Sequence, residues 1–287
     1  MNRWIIGSRP RTLPAAAVPV AMGAVVAVGQ GGATWWRVGA AALVSLALQV
    51  GVNFANDYSD GIRGTDDSRV GPVRLVASGL ASSRSVKLAA FGAFGLAAVV
   101  GLVLAAATSW WLLVVGAVSI LSGWFYTGGP KPYGYLGLGE IFVFTFFGLV
   151  ATVGTTYVTL ERIPWESWAL GCAAGFLACA LLVTNNLRDI PGDSLVGKRT
   201  LAVRLGDRRT RSLFFALVGA TFVVIAVVGL GRPGALVGLL AIPVARQPVT
   251  AVRDGASGRD LIAVLGATGR LQIAVAVSVT LGIAILG

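Results

Sequence analysis

Residues Val38–Asp67 read VGAAALVSLALQVGVNFANDYSDGIRGTDD. An apolar run over residues 38–54 passes directly into a cluster of amides and carboxylates, Asn53, Asn56, Asp57 and Asp60. A helix that crosses a bilayer needs roughly 17–25 residues, so this run predicts a membrane span with polar groups at one end. If the helix continues to Asp60, then Asn53, Asp57 and Asp60 stand at i, i+4 and i+7 on one face.

The rest of the chain repeats the apolar theme. Of its 287 residues 56% are hydrophobic and only 12% charged, against about 25% charged in a typical soluble domain. Apolar runs lie near residues 13–29, 38–54, 88–108, 110–126, 136–158, 166–184, 213–230, 235–249 and 271–286. They lack the alternation of a barrel, and unpaired backbone is too costly in lipid for open sheets, so helices are the workable spans. The fold class expected is an all-α membrane protein of about nine transmembrane helices. The eighth run, which is short and holds Pro243, is the least regular.

Charge tests that count. Twenty of the 23 Lys and Arg residues fall in the N-terminus and in alternate loops; only Arg37, Arg162 and Arg232 fall in the others. The positive-inside rule then places the N-terminus in the cytoplasm and the C-terminus outside. Ten of the twelve acids lie on the same side, Glu161 and Glu166 being the exceptions. The net charge of +11 is thus a topology signal, and nucleic acid is not an expected partner. Trp35, Trp36, Trp110, Trp111, Trp165 and Trp168 flank the outer ends as an aromatic belt. Pro14 and Pro19 fall inside the first run, which suits a first span better than a removed signal peptide, and a bacterial inner membrane is the expected location.

A second cluster ends the sixth run: Asn185-Asn186-Leu187-Arg188-Asp189-Ile190-Pro191-Gly192-Asp193. Asn185, Asp189 and Asp193 are spaced i, i+4 and i+8, and both clusters share an Asn-x-x-x-Asp core. Four runs separate them, which suggests one polytopic domain built as two related units, roughly 1–126 and 136–249, plus a final span over 271–286.

The chain has no His, which removes the commonest general base and the usual nucleophile pairs. Cys172 and Cys179 lie within an apolar run and read as small packing side chains rather than zinc ligands. Hard oxygen donors without His or Cys favour Mg²⁺, which takes one or two carboxylates together with substrate phosphate oxygens. Asp57, Asp60, Asp189 and Asp193, with Asp66 from the loop beyond, are the candidate ligands. A diphosphate held between the clusters would draw on Arg63, Arg69, Arg74, Lys198 and Arg199, and the amides Asn53, Asn56 and Asn185 would contribute to binding. A cation-coupled transporter is the competing class, but transporter sites sit near the bilayer midplane, and these clusters lie at helix ends.

Other residues admit two readings. Lys131 either binds an anionic substrate group or snorkels at the membrane edge. Tyr126 and Tyr133 either face substrate or anchor at the interface. Arg11, with Arg9, either reaches the mouth of the site or only anchors the N-terminus. Phe142, Phe144, Phe146 and Phe147 suit helix packing, and alternatively a carbocation shield. Thr200–Arg211 suits a short interfacial helix.

Asn-Asp-x-x-Asp at the end of the second run and Asp-x-x-x-Asp at the end of the sixth resemble the UbiA superfamily of intramembrane aromatic prenyltransferases. Where that superfamily has a further Asp, this chain has Gly64, and its next acid is Asp66. That variation, and the Arg69-Val-Gly-Pro-Val-Arg74 that follows, is similar to the branch acting on 1,4-dihydroxy-2-naphthoate in menaquinone synthesis. So are Ser8–Pro14, Tyr126–Glu140 and Asn185–Asp189 with Gly197–Gly206. The resemblance implies transfer of a polyprenyl group from polyprenyl diphosphate to the naphthoate ring with loss of diphosphate and CO₂, giving demethylmenaquinone. Other acceptors, such as 4-hydroxybenzoate or homogentisate, are the alternative.

Overall fold

The structure is a computed structural model and describes residues 2–65 and 73–286. Asp66, Asp67 and Arg69 lie outside the described residues. Each apolar run folds as helix: α2 (Pro14–Gly29), α3 (Trp35–Ile62), α4 (Ser83–Ala107), α5 (Trp111–Phe125), the continuous stretch α6 (Gly139–Phe144) to α7 (Ala151–Leu160), α8 (Trp165–Leu195), α9 (Leu201–Gly231), α10 (Ile242–Arg253) and α11 (Asp260–Leu286). A short α1 (Arg3–Ser8) precedes them. A 3₁₀ segment, Pro233–Ala241, leads into α10.

Seven of these helical stretches are long and apolar enough to cross a bilayer, and eight if the bent pair Arg3–Thr12 and Pro14–Gly29 forms one span. The remaining run is α5, whose 15 residues extend about 22 Å, short of a bilayer core of about 30 Å. In contrast, α3 with 28 residues and α8 with 31 reach roughly 42 and 46 Å. Both exceed the core, so each is long enough to carry its Asp cluster in turns beyond it.

The bend between α1 and α2 has a local cause. Arg9 has φ +52°, and Pro10 and Pro14 follow, so no continuous helix can form. The elbow is tied to α3 instead: Asn53 Nδ2 donates to Ser8 O at 2.9 Å and to Thr12 Oγ1 at 3.1 Å, and Arg9 Nη2 donates to Asn53 O at 3.1 Å.

The largest core joins α2, α8, α9, α10 and α11 through Met22, Leu170, Leu177, Phe214, Ile225, Leu261 and Leu271, all fully buried. A second joins α3 and α4 around Phe54, Leu75 and Phe94. Between α6 and α7 the helix widens into a π-helical segment, Thr145–Val150. It lies against α8 so closely that a Cβ on Gly148 would meet Gly175 Cα at 2.5 Å and Gly171 O at 2.7 Å. The interfacial helix expected over Thr200–Arg211 is shorter: Gly206, at φ +74°, breaks α9 after one turn, and the residues beyond it continue into the long helix.

The charges at the end of the bundle opposite the Asp clusters are neutralised in pairs. Arg37 Nη1 lies 2.8 Å from Glu161 Oε1, and Arg232 Nε lies 3.2 Å from Glu166 Oε1. All six Trp of the outer belt are at least half exposed or nearly so, from 49% at Trp168 to 77% at Trp111.

The close approach at Gly148 is testable. Gly148→Val should lower the thermal midpoint in detergent by the equivalent of about 1–3 kcal/mol of overpacking. Gly92→Ala, where an added Cβ meets nothing within 4 Å, should leave it unchanged in the same melting experiment.

Candidate active site

The end of α3 is buried rather than solvated: Asn53, Asp57 and Asp60 are all at most 3% exposed. They do different things. The Asp57 carboxylate accepts the backbone N–H groups of Leu75 (2.9 Å) and Val76 (3.0 Å), fixing the turn that carries Arg74 into a cavity wall. Asn53 holds the elbow, with its Oδ1 accepting from Gln49 Nε2 at 3.2 Å. Asn56 Oδ1 accepts from Thr127 Oγ1 at 2.7 Å.

Asp60 faces the second cluster. Its Oδ1 accepts from the Tyr135 hydroxyl at 2.8 Å, and its Oδ2 lies 3.9 Å from Lys198 Nζ. The same ammonium lies 3.8 Å from Asp193 Oδ1 and 5.0 Å from the centre of the Tyr135 ring. One lysine therefore bridges the two acidic ends. On α8, Asp189 is forked by Arg188, with Nε to Oδ1 at 2.7 Å and Nη2 to Oδ2 at 2.8 Å. Such a bidentate geometry is the strong form of a charge-assisted pair.

These groups close one end of a cavity of about 840 Å³. Asn53, Asn56, Asp60, Asn185, Asp189 and Lys198 line its polar end, together with Arg9, Arg11 and Arg74. Leu48, Val52, Leu104, Leu113 and Ile120 make an apolar wall, and Phe142, Phe146 and Phe147 a further aromatic one. Phe146 and Phe147 both belong to the π-helical segment and line this space, whereas Phe144 packs on Phe176 at 5.2 Å. Tyr126 and Tyr133 line the cavity as well; Tyr133 stacks on Phe142 at 3.8 Å and donates to Ser122 O at 2.7 Å. Burial raises the pKa of Tyr133 and Tyr135, and the Asp60 charge adds to the effect at Tyr135. Both phenols stay protonated donors, to Ser122 O and Asp60.

The structure therefore brings Asp60, Asp189, Asn53, Asn56, Asn185, Lys198, Arg11, Tyr126 and Tyr133 to one cavity. Asp193 stands beside it, joined through Lys198. Asp57 lies behind the wall. Arg63 does not line the cavity; its guanidinium donates to the carbonyls of Thr127 and Gly129, holding the inner loop in place. Lys131 is exposed and outside the cavity wall. Sequence reasoning passed over Tyr135 and Thr127, which carry no spacing signal, and placed Glu140 at the same loop without a role; its Oε1 accepts from Asn186 Nδ2 at 3.0 Å within the protein.

Among the described residues no three His, Cys, Asp or Glu side chains converge as a metal cage. The donor set instead fits an ion held by one or two carboxylates and completed by substrate oxygens. Lys198 between Asp60 and Asp193 marks where positive charge is favoured.

Residues 16–260 match the UbiA prenyltransferase family. The chain belongs to that family. A 1,4-dihydroxy-2-naphthoate octaprenyltransferase from Mycobacterium tuberculosis is 51% identical over 96% of this chain and 95% of its own length. The protein of the same name from Mycobacterium leprae is 48% identical over 99% and 97%. A UbiA homologue from Archaeoglobus fulgidus, solved bound to DMAPP and Mg²⁺, shares the fold with a TM-score of 0.68 at 18% identity, covering 99% of this chain and 100% of that one. This UbiA-family chain is thus a multi-pass membrane prenyltransferase.

Asp57 and Tyr135 should separate on substitution. Asp57→Ala leaves two amides without their acceptor and should cost about 2–3 kcal/mol, read as a lower thermal midpoint. Tyr135→Phe should leave the midpoint unchanged and slow prenyl transfer about tenfold, the scale of one hydrogen bond to a charged group.

Proposed function

We propose that the protein transfers a polyprenyl group from polyprenyl diphosphate to 1,4-dihydroxy-2-naphthoate, releasing diphosphate and CO₂ and giving demethylmenaquinol, the reduced form of demethylmenaquinone. The observation that carries this reading is the cavity itself. Two acidic clusters face each other across Lys198 at one end, and an aromatic, apolar chamber continues from them. The names of the two mycobacterial relatives support the acceptor.

The diphosphate belongs at the polar end, where Lys198, Arg74 and Arg11 supply cations for its oxygens. Asp60 and Asp193 would hold Mg²⁺ there; Asp57 would join them only by releasing the amides of Leu75 and Val76, and Asp189 only by loosening the Arg188 fork. The homologue solved with DMAPP and Mg²⁺ supports that assignment. Bound Mg²⁺ neutralises the diphosphate and makes it a better leaving group. The allylic C–O bond breaks with its electron pair going to the diphosphate. A C–C bond forms to the ring carbon bearing the carboxylate, and CO₂ leaves with its bonding pair returned to the ring. Phe142, Phe146 and Phe147 exclude water from the allylic cation, and their faces stabilise it.

The reading keeps the chain as one domain of nine spans in a bacterial inner membrane, N-terminus inside, with the site toward the cytoplasm. The inner surplus of Lys and Arg and the mutual pairing of the outer charges support the orientation.

Membranes carrying the protein, given radiolabelled prenyl diphosphate and Mg²⁺, should label 1,4-dihydroxy-2-naphthoate and not 4-hydroxybenzoate or homogentisate. EDTA should abolish transfer and added Mg²⁺ restore it, and Asp60→Ala or Asp193→Ala should reduce it at least about 100-fold, as expected for loss of charge stabilisation at a leaving group. Label on another acceptor would refute the naphthoate assignment, and transfer that survives EDTA would refute the metal.

A further inference from the structure

Arg188 carries a donor that the diphosphate chemistry does not use. Its side chain is fully buried. Nε and Nη2 are committed to Asp189, and Nη2 also donates to Asn185 Oδ1 at 2.7 Å. Nη1 is buried and has no hydrogen-bond partner among the described residues. A buried donor left unmade carries its full desolvation penalty, and on a guanidinium the penalty is larger than on a neutral group. Arg188 also lines the cavity, so a ligand there can supply the missing acceptor.

Position and charge indicate which ligand. Arg188 precedes Asp193 by five residues on α8, so it lies about 7.5 Å further into the membrane along the helix axis. The diphosphate is drawn to the outer level, where Lys198 stands between Asp60 and Asp193. The acceptor ring must meet the allylic carbon at the next level in. The fork to Asp189 already neutralises the guanidinium, which leaves one oriented Nη1 suited to a single carboxylate rather than to a polyanion.

We propose that Arg188 Nη1 binds the carboxylate of the aromatic acceptor and so determines the choice of a naphthoate over a naphthol. This rests on the prenyl acceptor proposed above. The pair Arg188–Asp189 then reads the acceptor, while Lys198 serves the donor.

The test is equilibrium binding to the purified full chain, followed by tryptophan fluorescence, with two probes that differ only in the carboxylate: 1-hydroxy-2-naphthoate and 1-naphthol. The wild type should bind the carboxylate probe about 10- to 100-fold more tightly, the scale of one hydrogen bond between charged groups. Arg188→Gln should bring the two probes to within about threefold, and Arg188→Lys should restore part of the preference, while the affinity for geranyl diphosphate with Mg²⁺ changes less than about threefold. Equal binding of both probes by the wild type overturns the inference, as does a preference retained in Arg188→Gln. A variant that loses geranyl diphosphate as strongly as naphthoate overturns it in favour of a diphosphate contact. Should Arg188→Gln fail to fold, Arg188→Lys and the wild-type preference decide by the same criteria. Failure of the wild type to prenylate 1,4-dihydroxy-2-naphthoate sinks the proposed function instead, and the two failures are distinguishable.

Discussion

Charge at a membrane boundary is expensive unless it is paired, and that cost organises this molecule. Asp57 is satisfied by two backbone amides, Asp60 by a phenol and a distant ammonium, Asp189 by a guanidinium fork, and Asp193 by the ammonium it shares with Asp60. At the opposite face Glu161 and Glu166 are matched to arginines from other helices. Except for Asp189 with its neighbour Arg188 and Asp193 with Lys198, these pairings join segments far apart in the chain, so neutralising charge also helps to assemble the bundle.

The helix α3 is the post from which the face with the Asp clusters hangs. Its backbone and side chains at Asn53 hold the N-terminal elbow, Asn56 holds Thr127, Asp57 holds the turn at Leu75, and Arg63 holds the carbonyls of Thr127 and Gly129. Three separate segments are thereby fixed around one cavity. A helix only as long as the bilayer is thick could not do this, because its last two turns would lie within the lipid.

The bilayer makes some features readable from sequence and leaves others hidden. Apolar runs and the one-sided distribution of Lys and Arg are imposed by the solvent, so the helices and the clustering of Asp60, Asp189, Lys198 and the asparagines could be read before any coordinates. What the solvent does not dictate was not legible. Spacing placed Asp57 and Asp60 on one face of α3, yet two loop amides, those of Leu75 and Val76, hold Asp57 while Asp60 turns to the cavity. Lys131 was the natural cation of its loop by elimination, but the chain reverses there and leaves it exposed. The π-helical widening at Thr145–Val150, where Gly148 lies close against Gly175, is a packing feature with no periodicity of its own.

The two cations at the acidic clusters differ in a way that bears on how a ligand enters. Arg188 grips Asp189 through two bonds of 2.7 and 2.8 Å with a side chain that has no exposure, and breaking it would strand a buried charge, at a cost of several kcal/mol. Lys198 stands 3.9 and 3.8 Å from Asp60 and Asp193, and its side chain keeps 20% exposure. Its attraction is long, shared and partly screened, so exchanging it for a divalent ion costs little. The compact ammonium can then swing to a phosphate oxygen without leaving the site. Under the proposed function, the fixed pair would set the depth at which a substrate stops, and the loose one the side from which its charged end is received.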